Sequence, residues 1–230
     1  KFAVFARQLA RDAQALAGAP LTHVINTHHH LDHTGGNLEF RRLTVIAHER
    51  AARRVRRQVD RHRSSIESGG RRIARLPRDA RATLAEDLNR YADKLDDYDA
   101  ESWAPNATID AGETGLDLGR RWVEVIRFDR QAHTDNDVVI RVPADNVVHA
   151  GDLVFHEMFP YFDPEGGASA RGWMQTLRDL AELCDEETVV VPGHGPITDR
   201  EGVRAQLRYI EQLWSDVEEA IEAGKSADEV

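Results

Sequence analysis

Short runs rich in Val and Ile alternate along this chain with segments whose apolar residues recur every three or four positions. The runs at residues 22–26, 43–47, 121–128, 137–142, 147–149 and 188–191 predict strands. Residues 171–184, with Trp173, Leu177, Leu180 and Leu183, and residues 203–223, with Leu207, Ile210, Leu213, Val217 and Ile221, predict amphipathic helices. Near the start, Phe2, Phe5, Leu9 and Leu16 recur at roughly helical spacing and predict another. Ser226 and Glu229 have the spacing of a capping box. Gly193, Gly195 and Pro196 punctuate the stretch after residues 188–191 and place His194 in a loop at a strand's end.

The stretch from about residue 48 to 103 has a different character. Val55, Val59 and Ile66, then Leu84, Leu88, Tyr91 and Leu95, mark two helical stripes, interrupted by Gly69-Gly70 and Pro77. This reads as a helical hairpin inserted into one domain spanning residues 1–230. Eleven arginines lie between residues 50 and 78 against Asp60 and Glu67, whereas eight acids lie between 79 and 101 against Arg81, Arg90 and Lys94. Opposite charge favours antiparallel pairing of the arms, so a solvated face explains the arginines better than a nucleic-acid patch or an anion clamp.

Composition narrows the classes. In 230 residues, 30 basic against 40 acidic side chains leave a net charge of −10, which argues against general binding of nucleic-acid backbones. No apolar run approaches the length of a membrane-spanning helix. The chain reads as a soluble protein of bacterial type, with a small-molecule substrate, no membrane or nucleic-acid partner, and a homodimer left open. The lone cysteine, Cys184, falls in an apolar helical stretch, as a buried structural thiol would. The chain opens on Lys1 with no apolar signal segment before its first helical pattern, which leaves the cytoplasm and the periplasm both open. Histidine is the informative residue, with eleven in all.

Four potential ligands, His28, His30, Asp32 and His33, crowd into Asn26-Thr27-His28-His29-His30-Leu31-Asp32-His33-Thr34-Gly35-Gly36. A Val/Ile-rich strand ends there, and two glycines let the backbone turn away. Imidazole and carboxylate suit zinc and related ions. If the segment is extended, alternation points His28 and His30 to the same side, where they could grip one ion, while Asp32 and His33 could face a second. By the same alternation His29 points away and supports the others. His23, His48, His62 and His149 read as solvated or internally bonded histidines.

His28-x-His30-x-Asp32-His33 resembles the H-x-H-x-D-H signature of the metallo-β-lactamase superfamily. Further resembling segments follow in order: His133 in Ala132-His133-Thr134-Asp135-Asn136-Asp137, Asp152 in Ala150-Gly151-Asp152-Leu153-Val154-Phe155, and His194 in Pro192-Gly193-His194-Gly195-Pro196. The resemblance implies an α+β fold, the αβ/βα sandwich, without the strand pair that usually precedes the first helix and with the helical insertion at about 48–103. It implies that His28, His30 and His133 hold one metal ion, that Asp32, His33 and His194 hold a second, and that Asp152 bridges them. Two Zn²⁺ are the expected cofactors, with Fe or Mn as alternatives. The implied activity is binuclear metal-dependent hydrolysis by a metal-bridging hydroxide, with Asp32 as the catalytic carboxylate that orients it and relays a proton.

The Thr27–His33 motif is similar to that of glyoxalase II, a thioesterase, although the Lys and Tyr motif that grips glutathione is not visible in residues 153–163. β-Lactamases of the superfamily carry Cys- or Ser-type patterns where Asp152 stands. Ester, thioester or lactone cleavage is therefore expected, with β-lactam hydrolysis, or a non-catalytic metal- or partner-binding protein with a helical docking hairpin, as alternatives. His156, Phe159 and Tyr161, with Met158 and Phe162, follow the Asp152 segment and are expected to form an apolar substrate wall.

Overall fold

The computed structural model describes residues 3–58, 99–110, 112–119 and 121–229, with residues 3–5 as backbone alone. The chain divides into two compact units, Lys1–Asp110 and Ala111–Val230. Among the described residues no helix is long and apolar enough to cross a membrane. Most of the expected helical hairpin, including Val59, His62, Ile66 and the Leu84–Leu95 stripe, lies outside the described residues.

In the first unit, strands β1 (His23–Ile25), β2 (Thr44–His48) and β3 (Ala107–Ile109) form a wholly parallel sheet with β2 in the centre. Parallel central strands are buried on both faces, and Val45, Ile46, Ala47 and His48 are all buried. His48 is satisfied internally, because its Nε2 lies 2.8 Å from the carbonyl of Asp110 and its Nδ1 accepts from the amide of Arg50 at 3.1 Å. The helix Ala3–Ala17 corrects one expectation. Leu9 and Leu16 are 55% and 90% exposed, whereas Ala6 is buried against Phe40 and Val45 with Ala10 packed beside it. Small residues four apart let this helix approach closely, so its buried stripe is one of alanine rather than leucine.

The ends of the expected insertion are core elements of this unit. Residues 49–58 are helical with Ala51, Ala52 and Val55 fully buried, and the short helix Ala100–Trp103 buries Trp103 completely. Asp99 caps that helix by accepting from the amide of Ser102.

The second unit is a five-stranded sheet in the order β4 (Glu113–Asp117), β5 (Trp122–Ile126), β6 (Val139–Val142), β7 (Val147–Phe155) and β8 (Val189–His194). Its first three pairings are antiparallel and the last, β7 with β8, is parallel. Helices Ala170–Leu183 and Arg200–Glu222 cover the sheet, burying Trp173, Leu177, Leu180, Val203 and Ile210 against Val139, Val148, Leu153 and Val190. Ser169 and Asp199 cap these helices with side-chain oxygens.

Three strands go beyond the sequence reading, and β3 (Ala107–Ile109) is one that no Val/Ile run foretold. β4 contains no Val or Ile, and its pairing with β5 supplies what propensity does not: Trp122 covers Gly115, where a β-carbon would fall 1.8 Å from the indole. β7 runs to Phe155 rather than ending at residue 149. Its pairing with β8 shifts register between His149 and Gly151 and again between Gly151 and Phe155. Gly151 takes a φ of 55° at the first shift, where its amide donates to Nδ1 of His149. His149 thus shapes the backbone just before Asp152. The ladder is interrupted beyond that point, and side chains replace it: Trp173 Nε1 and Gln206 Nε2 both donate to the carbonyl of Leu153, while Oε1 of Gln206 accepts from the amide of Phe155.

Candidate functional site

Each unit carries part of the ligand set foreseen in the sequence. In the first unit, the chain leaves β1 at Ile25, bends through Thr27–His29 and enters a single helical turn, Leu31–Thr34. The three consecutive histidines are therefore not on an extended strand. The rings of His28 and His30 still stand 4.6 Å apart, those of His28 and His33 4.3 Å, and those of His29 and His30 4.7 Å. His29 is buried, with its ring 6.3 Å from that of His28. His28 and His30 bring ligand atoms within 4.8 Å of one another. Nε2 of His33 lies 3.1 Å from Oδ2 of Asp32, whose side chain is 49% exposed.

Buried hydrogen bonds hold this loop in shape. Asn26 and Asn37 exchange side-chain amide bonds at 3.0 and 2.9 Å, Asn26 also donates to the carbonyl of His33, and Asn37 donates to that of Trp103. The Trp103 indole returns a bond of 2.9 Å to the carbonyl of Thr34, whose hydroxyl donates to that of His30. The Thr27 hydroxyl lies 3.1 Å from Nδ1 of His28 and orients that ring. Asn26, Asn37 and Trp103 were not singled out from the sequence. Asn26 and Asn37 flank the His-rich motif and were visible there, whereas Trp103 is distant in sequence and gave no signal.

In the second unit, Asp152, His133 and His194 come together. Oδ2 of Asp152 lies 3.4 Å from Nε2 of His133 and 3.4 Å from Nε2 of His194. His133 is fully buried and Asp152 is 3% exposed. Nδ1 of His133 lies 2.9 Å from the carbonyl of Tyr161, an acceptor, which assigns the proton to Nδ1 and turns the Nε2 lone pair toward the carboxylate. Two acceptors facing each other in a buried setting call for a cation or a proton between them. Trp173 meets His133 edge-on at 5.2 Å, and Phe155 stacks on His194 at 5.0 Å with a 14° interplanar angle. His194 is the last residue of β8, not a loop residue.

The segment after His133 is shaped by Asp137, whose two oxygens engage the amide and the hydroxyl of Thr134 at 2.7 and 2.8 Å. Burial pushes the Asp137 carboxyl up from 3.8 to about 7; the Thr134 bonds oppose this, while the charges of Asp152 and Asp135 add to it.

The expected substrate wall separates into two roles. His156 and Phe159, with Met158, line a pocket of about 270 Å³ whose opposite side is the Arg200–Glu222 helix at Gly202, Ala205, Gln206 and Tyr209. Tyr161 is outside that lining; its side chain is exposed and its carbonyl positions His133. Phe162 packs on Trp173 at 5.0 Å.

The residues fit a first-row divalent metal. The donors are imidazoles and carboxylates without a thiolate, which suits zinc and its neighbours. Two donors each about 2.0–2.1 Å from one tetrahedral ion stand roughly 3.3 Å apart. The Asp152–His133 and Asp152–His194 separations, both 3.4 Å, match that spacing better than an optimal hydrogen bond.

The family model of the metallo-beta-lactamase superfamily matches residues 3–194. No curated protein matches the chain. Among solved structures, the chain is similar to a metallo-beta-lactamase from Pontibacter korlensis, at 19% identity and a TM-score of 0.59, covering 89% of this chain and 76% of that one. It is similar also to TMB-1, at 20% identity and a TM-score of 0.59 with 90% and 75% covered, and to the DIM-1 metallo-beta-lactamase, at 18% identity and a TM-score of 0.56 with 89% and 78% covered. At these identities the likeness establishes the fold.

Proposed function

The chain belongs to the metallo-beta-lactamase superfamily, and from that premise we propose that it is a metal-dependent hydrolase cleaving ester, thioester or lactone bonds of small molecules. The superfamily consists mostly of metal-dependent hydrolases. The observation that carries the reading is the buried Asp152 carboxylate with the imidazoles of His133 and His194 each 3.4 Å from the same oxygen. A hydrolase that works through bound metal has a use for such a cluster, whereas a core without metal would lose stability by burying it.

In this reading His28, His30 and His133 hold one ion, Asp32, His33 and His194 a second, and Asp152 serves both. Zinc is the metal best suited to the donors, with iron or manganese as substitutes. When bound, such ions supply Lewis acidity, activating water and polarising the scissile carbonyl. The chain's own contribution is orientation and proton handling. Tyr161 fixes the His133 tautomer and Thr27 the His28 ring, so that neither imidazole must be reorganised for binding. In the same reading Asp32, which is half exposed with His33 at 3.1 Å, would accept a proton from the attacking water and deliver it to the leaving group.

β-Lactam hydrolysis is the second reading, favoured by structural neighbours that are metallo-beta-lactamases, one of them DIM-1 exposed to ceftazidime. One experiment separates these readings: zinc-loaded and chelator-treated protein assayed on thioesters, aryl esters, lactones and β-lactams, with Asp152→Ala beside the parent. Chelator-sensitive turnover of the acyl substrates, lost in Asp152→Ala, is expected. Turnover of β-lactams alone would select the second reading, and metal binding without turnover of any substrate would leave a metal-binding protein.

A further inference from the structure

The loop that follows Asp152 exposes more apolar surface than folding requires. Met158 is 54% and Phe159 83% exposed, and the loop that presents them is tied down at His156. The amide of His156 donates to the carbonyl of His194 at 3.0 Å, and its ring nitrogens lie 3.1 Å from the carbonyl of Pro196 and 3.3 Å from the hydroxyl of Thr198. Gly195, at a φ of 93°, packs so tightly on this loop that a β-carbon would fall 1.8 Å from the carbonyl oxygen of His156. Glu157 takes a φ of 59°, a conformation that costs free energy for a residue other than glycine and that turns the next side chains outward.

Those side chains form one wall of the pocket of about 270 Å³, facing the Arg200–Glu222 helix. Phe159 and Tyr209 stand across it with ring centroids 6.0 Å apart. The floor is electrically quiet, because Gln206 spends both ends of its amide on the backbone of Leu153 and Phe155. Glu157 at the rim is the one charged residue of the lining and disfavours an anion. Sites that enclose a whole ligand run to roughly 300–1,000 Å³, so this volume suits one arm of a small molecule and is too small for a helix. Phe155 ties the pocket to the chemistry: it lines the pocket, stacks on His194 at 5.0 Å and lies 5.7 Å from His133.

We infer that this pocket takes an uncharged apolar arm of the substrate, an acyl chain or an aryl ring, and that Phe159, Ala205 and Tyr209 determine specificity for it. The substrate role rests on the hydrolase reading above. The binding of an apolar group does not.

The test has two arms on zinc-loaded protein. In the first, N-phenyl-1-naphthylamine, a neutral probe that brightens in apolar surroundings, is titrated into the parent, Ala205→Trp and Phe159→Ala. Saturable binding in the parent, weakened at least five-fold by either change, is expected. In the second, kcat/KM is measured for p-nitrophenyl acetate and hexanoate; the hexanoate-to-acetate ratio should fall at least ten-fold in Ala205→Trp, which fills the pocket. Metal content and far-UV circular dichroism report whether each variant is folded. Should Ala205→Trp not fold, Phe159→Ala and Tyr209→Ala decide both arms. No saturable probe binding, or binding and selectivity unchanged in folded variants, overturns the inference. Probe binding lost as expected but no hydrolysis of either ester overturns the aryl-ester branch of the hydrolase reading and leaves the apolar site standing.

Discussion

Gly193 stands so close to Asp152 that a β-carbon on it would fall 1.9 Å from Oδ1. No flexible side chain can yield there, since the backbone of Gly151 and Asp152 lies only 2.7 and 2.8 Å from the same point. The parallel pairing of β7 with β8 places the smallest residue beside the carboxylate, and this closeness keeps Asp152 in line with His133 and His194.

Gly193→Ala should therefore displace the carboxylate and shift the β7 backbone at Gly151 and Asp152 locally. Metal retained after gel filtration should fall at least ten-fold by elemental analysis, with secondary structure kept. Full metal occupancy in the variant would show that the carboxylate position is not held by this contact.

Asp152→Asn keeps the size of the side chain and removes its charge. On the proposed reading, in which the carboxylate would serve two ions, stoichiometry should drop from two metals per chain to one or none, and hydrolysis by two orders of magnitude or more, consistent with the several kcal/mol a metal centre supplies to charge stabilisation. Two tightly held ions in the variant would assign the bridging role elsewhere.

Asp137 makes stability depend on pH with a definite sign. Its carboxyl is near 3.8 when unfolded and about 7 when folded, so the folded chain holds the extra proton between those values. Stability from this group is fully present below pH 3.8 and is lost as pH rises through 7. Urea unfolding of chelator-treated protein at pH 5 and pH 8 should show a larger loss at pH 8 in the parent than in Asp137→Asn. Equal pH dependence in the two would mean that Asp137 titrates at an ordinary value.

Trp103→Phe removes the indole N–H that Thr34 accepts while leaving an aromatic ring in the core. The variant should be destabilised by about 1–3 kcal/mol for the buried carbonyl left unsatisfied, and its metal affinity should fall because the carbonyl belongs to the loop that carries His28, His30 and His33. A loss of thermal stability with unchanged metal affinity would separate Trp103 from the His-rich loop.

What the sequence determined by itself was whatever local chemistry writes into consecutive residues. The Val/Ile runs marked six of the eight strands among the described residues, and the three- and four-residue periodicity marked both long helices of the second unit, because burying one face imposes those spacings wherever the element packs. The His-rich motif, with His133, Asp152 and His194 in order after it, named the candidate donors because imidazole and carboxylate at such density have few other uses. Tertiary structure decided the rest. β4 has little propensity of its own and exists through its pairing with β5; the alanine face of the first helix could be told from its leucine face only once Phe40 lay against it. The turn after the three histidines is held by bonds from Asn26 to the carbonyl of His33 and from the distant Trp103 to that of Thr34, and β7 continued through two register shifts because Trp173 and Gln206 satisfy its backbone from two different helices. The Trp103, Trp173 and Gln206 bonds join residues 20 to 69 positions apart, so no short window of consecutive residues contains both partners.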